Sequence, residues 1–188
     1  MWRSFLFDFS RTLSPREKIF NIWFAFIFSF LWMLVIVMVK LLIVGFGTGE
    51  MGTCWIDAQI DKALVAAGVG DYVSILIRAV VLAPLIEEHL FRCLPLVFLL
   101  WLPIAEGRRR RRLVLEGVLF SSILFGLMHG SPWNVALQGV LGIVLCWVYL
   151  KNNLSRWSPI VVHSLYNIAA ILFTIFAKSS LIGTNFIP

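Results

Sequence analysis

Two adjacent carboxylates, Glu87 and Glu88, open the run EEHLFR inside a strongly apolar stretch of the chain. Burying an unpaired charge in hydrocarbon is expensive, so such a pair needs a compensating partner or a chemical task. Arg92 stands four positions after Glu88 on the same helix face, which predicts a buried ion pair. Glu87, about 100° further round the helix, is then the less compensated acid, and its carboxylate suits the binding and activation of water. The plainer reading of these residues is a structural Glu–Arg network.

Two more polar clusters interrupt apolar segments. His129 ends FGLMH, with Phe125 one turn earlier as an aromatic support on the same face. His163 starts HSLYN, with Asn167 one turn later. That spacing points an imidazole and an amide into one cavity, where both can donate to a developing oxyanion. Taken singly, each histidine reads first as a satisfied core or interfacial residue, and Asn167 as a polar tie between helices. Taken together, the clusters supply an acid, two imidazoles and an amide. Peptide hydrolysis needs those roles: water activation, oxyanion stabilisation and proton delivery to the leaving amine. The remaining histidine, His89, lies off the Glu88–Arg92 face and reads as interfacial.

The elements that must position these residues are apolar. The chain has 188 residues, 60% hydrophobic and 14% charged, where a soluble domain has about 25% charged. Mean hydropathy is +0.91. Residues 1–188 therefore read as a single membrane domain. Arg108 to Arg112 supplies five of the sixteen basic residues behind the net charge of +6. Lying between apolar segments, this block reads as a cytoplasmic loop anchor, and no nucleic-acid partner is expected. Cys54, Cys93 and Cys146 lack metal-like spacing and read as small core residues.

Spanning candidates fall at 20–46, 72–102, 113–131, 134–150 and 158–178, with a far-side loop over 47–71 that includes a short helix at 56–67. The second stretch would extend about 45 Å as a helix, beyond the ~30 Å hydrocarbon layer. Within it, Pro84 and Pro95 predict kinks or a break. Basic residues at 3–18, 108–112 and 151–156 place the N-terminus in the cytoplasm. The expectation is an all-α, polytopic transmembrane helical bundle of five crossings in the cell membrane, with room for broken or re-entrant segments. This topology sets His129 near the outer end of the third crossing and His163 near the inner start of the fifth. A shared site then requires a third helix that starts well outside the bilayer, strongly tilted helices, or discontinuous ones lining a cavity.

The three clusters also resemble a known family. EEHLFR fits EExxxR at Glu87, Glu88 and Arg92; FGLMH fits FxxxH at Phe125 and His129; HSLYN fits HxxxN at His163 and Asn167. In that order and spacing they resemble the CPBP family of intramembrane proteases, the CAAX protease and bacteriocin-processing or Abi family, over roughly residues 72–170. The resemblance implies a catalytic core in that span, with water activated by Glu87 and assisted by His129. It makes His163 and Asn167 the oxyanion donors, with Glu88 and Arg92 in support. The implied substrate is a membrane-associated peptide or protein among membrane lipids. Family eukaryotic members have more transmembrane helices than the five segments here, which points to a compact member.

The resemblance favours a glutamate mechanism with no metal or other cofactor. A zinc set of Glu87, Glu88, His129 and His163 is the alternative by residue type, although no HExxH occurs. Competing functions are a non-catalytic membrane immunity, scaffold or chaperone protein of the same fold, and a proton-coupled transporter using the intramembrane acids.

Overall fold

The computed structural model describes residues 12–44, 69–103, 107–130 and 134–184. The loop proposed for 47–71, with its short helix at 56–67, falls almost wholly outside the described residues, as does Cys54. Five helical rods make up the described structure: α1 (Pro15–Val44), α2 (residues 69–101), α3 (Arg108–Met128), α4 (Val135–Lys151) and α5 (Trp157–Thr184). The chain is an all-α bundle. Among the described residues, two stretches, Pro15–Val39 and Trp157–Phe176, are long and apolar enough to cross a membrane.

Helix α1 starts at a capping box. The Ser14 backbone N–H donates to Glu17 Oε2 at 2.9 Å, and the Glu17 N–H donates back to Ser14 Oγ at 3.3 Å. Pro15 fills the first helical position, where its missing N–H costs no bond. Every fourth residue from Asn21 through Ala25, Ser29 and Met33 is buried against the bundle. The opposite face exposes Phe20, Trp23, Phe24, Ile27, Phe28 and Leu31. Large apolar groups turned outward along a whole helix suit lipid as the surrounding medium.

Helix α4 is the hub, with buried residues on most of its circumference from Leu141 to Leu150. One side meets Ala25, Phe125, Val162 and Tyr166; another meets Leu96, Val114 and Val118. Cys146 is fully buried in this second cluster and Cys93 packs beside it, both as free thiols. Helices α3 and α4 approach closely because small residues line the seam. A Cβ added at Gly126 would lie 2.6 Å from Val135 Cα, and one at Gly139 would lie 3.3 Å from the Ser122 carbonyl oxygen.

The arginine block corrects the loop expectation. Arg108 to Arg112 forms the first turns of α3 and belongs to no loop. Val114 packs in the same cluster as Tyr149 and Leu150, near the end of the antiparallel α4. The arginine turns therefore project about 9 Å beyond that level. Helix α3 ends at His129, where Gly130 takes a φ of +87°, a left-handed conformation glycine adopts without strain.

Helix α2 answers the proline expectation with a different device. The rod continues through both prolines, and a π turn precedes each: Arg78–Leu82 before Pro84 and His89–Cys93 before Pro95. Proline has no N–H to offer the carbonyl four residues back and its ring crowds that oxygen. Those carbonyls belong to Val80 and Phe91, and each takes a hydroxyl from a neighbouring helix. Ser164 Oγ of α5 donates to Val80 O at 2.7 Å, and Ser121 Oγ of α3 donates to Phe91 O. Each proline thus creates a tether between α2 and a partner helix.

Candidate active site

The π turn at His89–Cys93 sits between Glu88 and Leu94, so the acidic pair ends a short α segment and Arg92 lies inside the widened turn. Glu88 and Arg92 are fully buried. Arg92 Nη1 lies 3.1 Å from Glu88 Oε1, the ion pair that their spacing predicts. Room for the guanidinium comes from Gly142 of α4, where an added Cβ would stand 3.1 Å from Arg92 Nη2. The guanidinium also caps the Phe125 ring, its Cζ 3.9 Å from the centroid.

Helix α5 brings His163 to the same oxygen. His163 Nδ1–H donates to Glu88 Oε1 at 2.7 Å, and Nε2 then faces Glu87 Oε2 at 3.8 Å. The two neighbouring acids are thus in different environments. Glu88 is sealed between a cation and an imidazole, whereas the Glu87 side chain is 28% exposed. Glu87 Oε2 has no hydrogen-bond partner among the described residues.

Phe125 joins the second histidine to the cluster. Its ring meets His129 at 4.8 Å and His163 at 5.7 Å between centroids, both edge-on, with Phe91 at 5.6 Å on a further side. Among the described residues, an aromatic ring and no direct ion pair links His129 to the acids. His129 Nδ1–H donates to the Phe125 carbonyl at 2.7 Å, which leaves Nε2 as its open nitrogen. Asn134 Nδ2 donates to the His129 carbonyl at 2.5 Å and fixes the end of α3. Both histidines pack on the Phe125 ring, so the ends of α3 and α5 that carry them lie side by side in the bundle.

Asn167, one turn after His163, is buried and donates from Nδ2 to the Ala79 carbonyl in the first π turn at 2.7 Å. One amide hydrogen is thus a tie between helices, and Nδ2 carries a second. The structure brings Glu87, Glu88, Arg92, Phe125, His129 and His163 into one cluster, with Asn167 on the adjoining turn. Sequence spacing missed the Glu88–His163 bond, the Asn134 anchor and the space at Gly142. Of these, only the Gly and Ser repeats of the α3–α4 seam left a readable signal. Among the described residues, no group of three or more His, Cys, Asp or Glu side chains is arranged to hold a metal ion.

A family model described as Rce1-like, type II CAAX prenyl endopeptidase Rce1-like, matches residues 69–169, more than half of the chain. No curated protein and no solved structure matches it. The matched span contains all of the clustered residues, from Glu87 to Asn167. The chain therefore belongs to the CAAX protease family, the Rce1-like and CPBP superfamily, whose protease domain is carried here by a membrane-associated helical protein.

Proposed function

We propose that this chain is an intramembrane endopeptidase that hydrolyses a peptide bond in a membrane-associated protein or peptide. The observation that carries this reading is the division of labour between adjacent acids: Glu88 is locked to Arg92 and His163, while Glu87 is partly open and faces His163 Nε2 at 3.8 Å. In this mechanism Glu87 takes a proton from a water molecule as the water oxygen attacks the carbonyl carbon. His129, held at Nδ1, uses Nε2 to orient the same water. His163, with Nδ1–H on Glu88 and a second proton on Nε2, donates to the oxyanion together with the free amide hydrogen of Asn167. Collapse of the tetrahedral intermediate breaks the C–N bond, and the proton held by Glu87 passes to the leaving amine. Arg92 and Phe125 hold the carboxylate and both rings in place.

In the same reading the five rods are five crossings of the cell membrane, with the N-terminus, the Arg108–Arg112 turns and the Lys151–Arg156 connection in the cytoplasm. Residues 72–170 form the catalytic core of a single membrane domain. The substrate reaches the site from within the bilayer or its surface, and the family description makes a prenylated chain end one candidate.

The test uses the full-length protein in nanodiscs with a library of membrane-associated peptides in heavy-oxygen water. Hydrolysis places the label in a new carboxylate. Glu87→Gln is expected to slow product formation by about 10²–10⁴-fold. Unchanged product in a Glu87→Gln/His129→Ala protein would overturn the mechanism.

A further inference from the structure

The second half of α2 and one face of α3 from Leu113 to Leu124 enclose an apolar groove of about 430 Å³, walled by Leu90, Phe98 and Leu99 on one side and Phe120 and Leu124 on the other. The polar side chains along it are already engaged. Ser121 Oγ donates to the Phe91 carbonyl, and Glu116 is paired with Arg112 at 2.7 Å. A peptide backbone lying in the groove would forfeit its hydrogen bonds there, a cost that a hydrocarbon chain does not carry. The mouth of the groove, at Leu113 and Glu116, adjoins the arginine turns of α3, where Arg108, Arg109 and Arg112 are exposed. An apolar slot with a cationic rim is complementary to an amphiphile that has an anionic head.

We propose that this groove binds an anionic phospholipid, with one acyl chain between α2 and α3 and its phosphate on the arginine turns. The site is separate from the Glu–His cluster, and the proposal stands whether or not the chain is a protease. It has a structural link to the cluster all the same. Phe91 lines the groove and its ring meets Phe125 at 5.6 Å, so the buried chain end braces the wall against which Arg92 and both histidines pack.

The experiment loads the full-length protein with phosphatidylglycerol or phosphatidylcholine of identical acyl chains and reads retained lipid by native mass spectrometry. Phosphatidylglycerol is expected to stay bound at one per chain and to outcompete phosphatidylcholine. Arg108→Gln and Arg109→Gln, on exposed side chains whose replacement leaves the bundle folded, should each lower retention about fivefold. Leu124→Trp fills the groove and should abolish retention of both lipids, while Leu124→Ile keeps it. Equal retention of the two lipids, retention untouched by Leu124→Trp, or a lipid-free dimer that Leu124→Trp dissolves would each overturn the proposal.

Discussion

His163 Nδ1 lies 2.7 Å from Glu88 Oε1, a bond that closes 75 residues of chain and fastens α5 to α2 at one buried oxygen. The same oxygen faces Arg92 at 3.1 Å. The acid of the EExxxR motif that is sealed from solvent therefore orients the histidine of the HxxxN motif, and the neighbouring acid keeps an open edge. Two motifs far apart in the chain meet through one carboxylate.

Replacing that carboxylate should damage the bundle as well as the site. Glu88→Gln leaves the fully buried Arg92 without its counter-charge, and breaking a buried pair costs about 3–5 kcal/mol. Thermal unfolding of the purified variant should fall accordingly. Arg92→Met in the same chain should recover part of the loss, because the charge left stranded is then gone.

Gly126 and Gly142 should rank by what a methyl group would meet. At Gly126 the obstacles are backbone atoms, Val135 Cα at 2.6 Å and the Asn134 oxygen at 2.9 Å, so Ala there must push α3 off α4. At Gly142 the end of Arg92 and the Cα and Cβ of Ser122 all stand at 3.1 Å, further off than the backbone atoms at Gly126. Overpacking of this kind costs about 1–3 kcal/mol. Gly126→Ala should stand at the upper end and Gly142→Ala at the lower, as read by thermal unfolding. Only Gly142→Ala acts directly on the guanidinium that holds Glu88.

Asn167 separates a tie from an oxyanion donor. Losing its bond to Ala79 O in the buried variant Asn167→Ala costs about 1–3 kcal/mol of stability. As an oxyanion donor it should also cost about 10²–10³-fold in kcat. Ser164→Ala removes the parallel tie to Val80 O at 2.7 Å without touching the proposed oxyanion site, so it should lower stability and spare kcat. Steady-state kinetics beside melting curves for the two variants measures the difference.

A second polar hub should matter for folding alone. Asn152, fully buried, receives Asn21 Nδ2 at 2.7 Å and donates to Ser158 Oγ at 2.9 Å and Lys18 O at 3.2 Å. It joins α1 to the α4–α5 connection, where Asn153 and Leu154 are held at φ of +56° and +59°. Asn152→Ala leaves Asn21 without its acceptor and should lower stability by about 2 kcal/mol or more. Any remaining folded protein should turn over at the unaltered rate.

Much of this arrangement was legible in the sequence. Apolar runs located the five rods within a few residues, because a long uninterrupted run has few structural alternatives. Spacing of four predicted the Glu88–Arg92 pair and the Phe125–His129 contact, since residues one turn apart on a helix must be neighbours. Periodicity says nothing about partners on different helices, which is why the Glu88–His163 bond was invisible. Arg108 to Arg112 misled because charge marks where a chain leaves the apolar layer, not where its helix begins. The prolines marked where the helix turns irregular, as the π turns show, but the bonds they deny to Val80 and Phe91 are supplied by Ser164 and Ser121, so it continues without a break.

The most direct test of the central claim, that Glu87 activates the water of a peptide hydrolysis, is comparative peptidomics of cells with the intact, deleted and Glu87→Gln gene. Membrane-derived peptide products are expected in intact cells alone, with the Glu87→Gln protein present in the membrane at the intact level. The same products at the same abundance in Glu87→Gln cells would contradict it.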